Sequence, residues 1–521
     1  MMKQKITYVS LESDESMHQF YEAALAEIER TLGHRHPLYI GGKEFAPVDE
    51  FVVRSPIDRD IVIGHFQKAG KNEAEAAIRV AKGAFPAWSR TDPEERVETI
   101  GRVADILEEE IFALAALITL EAGKTRTEAV AEVGEAIDMI RYHCLVYDRA
   151  NSFVFRMTPE VRGGMNYSVM RPHGVWAVIS PFNFPLDLAA GMASAALLTG
   201  NTIVMKPSSA APLSCIRLYE AFEEAGVPPG AVNLVTGPGA TFGEVVTTHP
   251  DVDGIAFTGS HEAGMWLQRA FAVKQHYPKP VITEMGGKNP CIVTEKADLE
   301  KAADGVVRAA FGYGGQKCSA TSRLYIQESV VEEFGRALIR RTADLVVGDP
   351  RRRDTFFGPL ISAHALRTYE DAVALCRQDG GHILTGGEVL RDGDLARGYY
   401  VRPTIAAGLP QDHPLMKKEL FVPFLCARTF TTLEEALVLA NDTEYGLTAG
   451  LFSEDEDEVR SFFDTIRAGV CYANREGGAT TGAWPGYQSF GGWMASGSTG
   501  KGVGGPYYLL SFLREQARTS L

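Results

Sequence analysis

Residues Phe311-Gly312-Tyr313-Gly314-Gly315-Gln316-Lys317-Cys318-Ser319 form a glycine-rich approach to one cysteine with polar neighbours. Most free cysteines are small core hydrophobes, but this setting suits access, and Cys318 is the candidate nucleophile. A thiol is mostly protonated at neutral pH, so attack requires positive charge, backbone N–H groups or a nearby base to favour the thiolate. Lys317 and the glycine-exposed backbone are expected to supply the first two. Two upstream segments offer the remaining groups. In Ile179-Ser180-Pro181-Phe182-Asn183-Phe184-Pro185, which follows the apolar run Gly174–Val178, the Asn183 amide can donate to an oxyanion. In Thr283-Glu284-Met285-Gly286-Gly287-Lys288-Asn289, Glu284 ends a strand-like segment before a flexible turn, where its carboxylate can activate water. Alone, an asparagine in a turn or a glutamate before Gly-Gly is usually structural. Together and in this order, the three are far more specific.

From about Tyr39-Ile40-Gly41-Gly42 to the C-terminus the chain resembles the aldehyde dehydrogenase superfamily. Met205-Lys206-Pro207-Ser208, Phe257-Thr258-Gly259-Ser260, Glu419-Leu420-Phe421 and Phe490-Gly491-Gly492 occur in the family's order. The resemblance implies that Cys318 is the nucleophile, Asn183 the oxyanion donor and Glu284 the general base.

Composition agrees with an ordinary globular chain. Its 521 residues, 45% hydrophobic and 23% charged, are enough for two or three domains. The net charge of −15 argues against general affinity for nucleic acid or anionic membrane. The longest apolar segments, such as Ile111–Ile118, are too short to span a bilayer. Lys3 and Lys5 are mixed with Glu12, Asp14 and Glu15, which fits neither a secretory signal nor an organelle presequence, so a cytoplasmic location is expected. Seven scattered cysteines predict reduced thiols rather than disulfides or zinc ligands. His34-Arg35-His36 has no acidic or cysteine partner nearby and reads as a solvated turn, so no metal is expected.

The elements that must position the site follow from periodicity. Apolar positions recur at helical spacing from Asn72 to Val146, in Glu73–Ala84 and again in Val97–Leu120, with Asp92-Pro93 as a helix start. Strands are expected at Trp176–Ser180, Thr202–Met205, Ala231–Val235 and Gly254–Phe257, separated by helices including Leu213–Glu224 and Gly243–Thr248. This alternation predicts parallel βαβ units in a doubly wound sheet. A second α/β run has strands at Pro290–Val293, Arg323–Ile326 and Ala449–Phe452 and a helix at Val330–Val347. Tyr167–Met170 and Tyr507–Leu513 read as extended. By resemblance, the fold class is α/β: a Rossmann-like NAD(P)-binding domain (38–153 and 173–286), an α/β catalytic domain (287–486) and β oligomerisation segments (154–172 and 487–521). A homo-oligomer is expected on the same ground.

No proper dinucleotide fingerprint is present, because Gly237-Pro238-Gly239-Ala240-Thr241-Phe242-Gly243 has three residues between its second and third glycines. The resemblance instead implies cofactor contacts at Lys206, Ser209, Gly239, Gly259, Ser260, Glu419 and Phe421. Lys206 would meet the adenosine ribose, Ser260 the pyrophosphate at a helix start, Glu419 the nicotinamide ribose and Phe421 the ring. NAD is the expected cofactor. Ser209 stands where many NAD-preferring relatives carry a carboxylate that repels a 2′-phosphate, which leaves NADP possible. Val422 replaces the family's usual glycine.

Gly482-Ala483 before Phe490, Ser319 after the nucleophile and the tail Ser496–Leu509 are similar to 1-pyrroline-5-carboxylate dehydrogenases. That likeness implies a small-molecule aldehyde, L-glutamate γ-semialdehyde. Its carboxylate would be held by the backbone of Gly482 and Ala483 and the Ser319 hydroxyl, and its chain flanked by Phe184 and Phe490. A fused proline dehydrogenase is not expected at this length. The rivals are an enzyme for another semialdehyde or an aromatic aldehyde, with Trp484 and Tyr487 lining a broader pocket, and a non-catalytic protein retaining the fold.

Overall fold

The computed structural model describes residues 15–46, 49–159, 161–477 and 484–521. Its frame is a pair of seven-stranded sheets. The first runs in the order Val281–Glu284, Val252–Thr258, Val175–Ile179, Thr202–Lys206, Val232–Leu234, Leu38–Ile40, Lys43–Phe45. Its first five strands pair in parallel and the last two join antiparallel. The second sheet, His382–Thr385, Thr404–Ala407, Phe424–Phe430, Thr321–Gln327, Asn289–Val293, Thr448–Phe452 and Val470–Ala473, is parallel except for its first pair. Continuous apolar runs such as Val175–Val178 and Ile203–Met205 are buried, as expected of parallel strands covered by helices on both faces.

Register decides where chemistry can gather. Ile179 pairs with Lys206 and with Phe257, and Thr258 pairs with Glu284. The carboxyl ends of four parallel strands therefore share one edge, the place where open α/β sheets bind ligands. The chain leaving those ends carries Asn183, Ser209, Gly259, Ser260 and Gly286.

The strands and helices expected from periodicity occur within a few residues of their observed limits. Three expectations change. His34-Arg35-His36 is not a solvated turn: Arg35–His36 is a short strand parallel to Val62–Gln67, and half-buried His36 stacks on Phe66 and is lowered to about 4 by desolvation. Val97–Leu120 is two helices, Pro93–Glu109 and Ile111–Ala122, broken at Glu110 where the backbone leaves helical values (ψ 13°). Neither glycine nor proline marks that break. Tyr507–Leu513 is not extended: Tyr508–Phe512 is a 3-10 turn that buries Tyr508, Leu509 and Phe512, and the strand begins at Leu513. Tertiary burial there overrides the β propensity of the aromatic residues. Leu513–Ser520 pairs with Met165–Pro172, which pairs with Val154–Met157, forming a separate three-stranded sheet. Upstream of that strand, Ser496–Ser498 lies instead beside Val281–Glu284 at the edge of the first sheet.

Gly254 packs against the fully buried Trp176, and a Cβ there would lie 2.6 Å from two indole carbons. Gly254→Ala should therefore destabilise the fold by about 1–3 kcal/mol through overpacking. A urea titration is expected to show a lower midpoint, and an unchanged midpoint would show that the indole moves aside freely.

Candidate active site

Cys318 follows the helix Leu299–Phe311 through a tight turn in which Tyr313, Gly314 and Gly315 all take positive φ. Gly315 is required at its position, since a Cβ would fall 2.7 Å from the Val422 carbonyl oxygen. Gln316 fixes the turn: its amide donates to the Tyr313 and Pro359 carbonyls and its oxygen accepts from Ile361 N–H. Asn289 fixes Cys318 itself, because Nδ2 donates to the Cys318 carbonyl at 2.7 Å and to that of Ala320 at 2.9 Å. Both roles are invisible in sequence, although both residues lie inside the motifs.

The charge expected beside the thiol is directed elsewhere. Lys317 Nζ is paired with Glu128 Oε1 at 2.9 Å, and the charges acting on Cys318 are the Glu419 and Glu284 carboxylates. Burial, reinforced by those two, pushes the thiol up to about 12, with only the Ser319 and Cys318 backbone N–H groups opposing. The backbone half of the expectation therefore holds and the lysine half does not. A resting thiol of this kind needs a base at the moment of attack.

Glu284 ends the edge strand of the first sheet and is buried. Its Oε2 accepts from Gly492 N–H at 3.0 Å, while Oε1 has no partner. Burial raises this carboxyl to about 8, against the pull of the Gly492 N–H. At neutral pH such a group is mostly protonated, and its capacity to accept a proton grows as pH rises through about 8.

Asn183, Lys206, Ser209, Gly239, Gly259, Ser260, Cys318, Glu419 and Phe421 line one cleft of about 560 Å³. Within it Lys206 is buried, donates to the Pro207 carbonyl at 2.7 Å and is lowered to about 8 by desolvation. Ser209 Oγ donates to the Gly237 carbonyl at 2.9 Å. Ser260 caps the helix His261–Lys274 by accepting from Ala263 N–H, so its hydroxyl proton stays available. Gly259 must lack a side chain, since a Cβ would meet the Phe257 ring at 2.6 Å; Gly239, which opens the helix Gly239–Thr248, has open space around it. Glu419 Oε1 accepts from Gly287 N–H at 2.9 Å, and its other oxygen lies where a Cβ on Gly286 would be. Burial raises Glu419 to about 7. Phe421, with φ 60°, meets Phe182 edge to face.

Of the remaining expected residues, Ser319 is buried and its carbonyl accepts from Thr448 Oγ1. Phe184 carries Lys124 Nζ 3.3 Å from its ring centroid, and half-buried Phe490 is fixed by a backbone pair with Val503. Gly482 and Ala483 lie outside the described residues. Missed by sequence is the charge system behind Phe184. Lys124, fully buried, pairs with Glu132 Oε2 at 2.7 Å, and Glu132 Oε1 accepts from Leu186 N–H. Glu128, Glu132 and Glu135 follow i, i+4, i+7 on the helix Arg126–Arg149, a stripe that ordinarily faces solvent. Here it faces inward, and the spacing alone carries no signal of that. Among the described residues no cluster of three or more His, Cys, Asp or Glu could hold a metal ion, and no helix is long and apolar enough to cross a membrane.

The aldehyde dehydrogenase family model matches residues 45–517. The chain belongs to the aldehyde dehydrogenase family. Among curated members of that family, it is 39% identical over 510 residues to 1-pyrroline-5-carboxylate dehydrogenase of Geobacillus kaustophilus (strain HTA426), covering 97% of this chain and 96% of that one. The solved aldehyde dehydrogenase structures include 1-pyrroline-5-carboxylate dehydrogenase from Thermus with bound NAD, at TM-score 0.92 and 34% identity, covering 100% and 99% of the two chains. Proline utilization A from Bdellovibrio bacteriovorus is similar at TM-score 0.93 and 32% identity, over 98% of this chain and 52% of that one, so this chain spans about half its length.

With the Cys318 thiol at about 12 and no cation acting on it, alkylation by iodoacetamide should accelerate about tenfold per pH unit from pH 7 to 9, because only the thiolate reacts. A plateau below pH 8 would mean that a thiolate already exists in the resting enzyme.

Proposed function

We propose that this chain oxidises L-glutamate γ-semialdehyde, the open-chain form of 1-pyrroline-5-carboxylate, to L-glutamate with NAD. The observation that carries the reading is the gathering of Cys318, Asn183 and Glu419 in one cleft with Glu284 beside it, in a chain alike over nearly its whole length to proteins named for that activity.

The residues fit the cofactor. Lys206 is a buried ammonium whose one bond reaches its neighbour's carbonyl, leaving donors for ribose hydroxyls. Glu419, held by Gly287 N–H, leaves its second oxygen for the other ribose, and Ser260 with its helix start suits the pyrophosphate. Ser209 presents a hydroxyl rather than a carboxylate, so NADP is admitted beside NAD. NAD, when bound, supplies the hydride acceptor.

Glu284 takes the Cys318 proton as sulfur bonds to the aldehyde carbon. Asn183 and the Cys318 N–H donate to the oxyanion, a contribution of the kind worth roughly 10²–10³ in rate per donor. After oxidation the acyl group remains on Cys318 as a thioester. Glu284, having passed the first proton to solvent, then removes a proton from the water that attacks the thioester, the C–S bond breaks with sulfur leaving as the thiolate, that proton returns to Cys318, and glutamate leaves. Ser319, beside the nucleophile, and the backbone of Gly482 and Ala483 hold the α-carboxylate, with Phe184 and Phe490 flanking the chain. The exposed outer strands Val154–Met157 and Leu513–Ser520 of the separate sheet support assembly into a homo-oligomer, and the location is taken as cytoplasmic.

Substrate identity is tested through the carboxylate contact. Ser319→Ala should lower kcat/KM for glutamate γ-semialdehyde about tenfold, the loss expected for a hydrogen bond to a charged group, and hardly change it for an uncharged aldehyde of similar length. Equal losses on both, or a wild-type preference for the uncharged aldehyde, would replace this substrate with another.

A further inference from the structure

The edge strand Val281–Glu284 would end unpaired on one side but for the C-terminal segment Ser496–Ser498. Gly497 bridges Glu284 antiparallel, Met285 N–H donates to the Ser496 carbonyl at 2.8 Å, and Ser498 N–H donates to that of Thr283 at 3.1 Å. The two serine side chains act differently. Ser498 Oγ accepts from Thr283 N–H and donates to the Val281 carbonyl, both at 2.9 Å, which stays within the strand. Ser496 Oγ, fully buried, donates to the Gly286 carbonyl at 2.7 Å and accepts from Gly446 N–H at 3.0 Å. It therefore ties the turn after Glu284 to a backbone segment that pairs with Trp493–Met494 and leads into the second sheet.

Both carboxylates of the cleft depend on that tie. Gly492, whose N–H holds Glu284 Oε2, packs on Ser496 so closely that a Cβ would lie 2.5 Å from the Ser496 carbonyl carbon and oxygen. Gly286, whose carbonyl Ser496 holds, abuts the Glu419 carboxylate, and Gly287 N–H donates to it. We infer that Ser496 is a positioning residue whose hydroxyl keeps Glu284 and Glu419 in register across the cleft. The inference rests on Glu284 being the base.

Without the hydroxyl, the Gly286 carbonyl and Gly446 N–H lose their buried partner, and the Gly492 N–H is free to drift from Glu284. Glu284 acts as the carboxylate, so activity rises with pH through its pKa. Weaker N–H support disfavours the carboxylate, and the rise moves to higher pH. The titratable groups facing Glu284 are the Cys318 thiol and the Tyr508 phenol, both held neutral by burial, and Glu419 acts on the same thiol. None carries a positive charge that would hold Glu284 ionised in place of the lost donor.

Steady-state kinetics of the full chain against pH, with NAD varied, test this. Ser496→Ala should lower kcat about tenfold, displace the ascending limb upward by about half a unit or more, and raise the KM for NAD. Ser496→Cys, which keeps the shape and a weak donor, should fall between Ser496→Ala and wild type, and remains informative if the alanine variant folds poorly. Ser498→Ala should lower thermal stability with the limb in place. A wild-type limb and NAD KM in the Ser496 variants, or the same displacement in Ser498→Ala, would overturn the inference. Glu284→Gln separates the two readings: a wild-type ascending limb in that variant would remove the base assignment itself.

Discussion

Desolvation, with no cation acting on Cys318 or Glu284, is the constraint on which this site depends. Cys318 and Glu419 line one cleft with Glu284 beside it, each meets backbone N–H groups, and burial raises all three toward their neutral forms. Opposite charge would have kept them ionised. Of the nearby ammonium groups, Lys317 is taken up by Glu128 and Lys124 by Glu132, while buried Lys288, itself lowered to about 8 by desolvation, acts on Glu419. A buried lysine left unpaired costs several kcal/mol, so the acidic stripe of the helix Arg126–Arg149 lets Lys317 and Lys124 sit beneath Phe184 without neutralising the carboxylates. The site is thereby kept poised to move protons rather than locked in salt bridges.

Backbone, more than side chains, sets the geometry. Parallel register aligns the ends of four strands, and glycines at Gly259, Gly286, Gly287 and Gly315 let main chain approach where a Cβ would collide. The Glu284 and Glu419 contacts to Gly492 and Gly287 are N–H donors from such close approaches. Donors of this type hold an anion without fixing its protonation state, which suits a group that must accept a proton and release it.

Much of this was legible in the sequence because it is local. Alternating apolar runs and helices gave the doubly wound order, the Asp92-Pro93 start is an N-cap with Asp92 accepting from Glu94 N–H, and the motif cysteine, asparagine and glutamate stood out as a set in one order rather than singly. What escaped is non-local. Nothing beside Lys317 announces Glu128, 189 positions away, and a serine such as Ser496 in a glycine-rich tail reads as turn chemistry until its partners Gly286 and Gly446 are known. The break at Glu110 and the 3-10 turn at Tyr508–Phe512 likewise follow from packing, with no glycine or proline to mark them. Gly482 and Ala483 were named from family likeness, and their part in holding substrate belongs to the proposal.

The central claim is that a buried carboxyl near 8, Glu284, hydrolyses the Cys318 thioester. Rapid mixing of Glu284→Gln with aldehyde and NAD at high pH, where solvent assists thiol deprotonation, tests it most directly. The account predicts a burst of NADH approaching one per active site followed by steady-state turnover reduced by about 10² or more. A linear trace without a burst would place the loss at Cys318 deprotonation, and steady-state turnover close to wild type would contradict the claim.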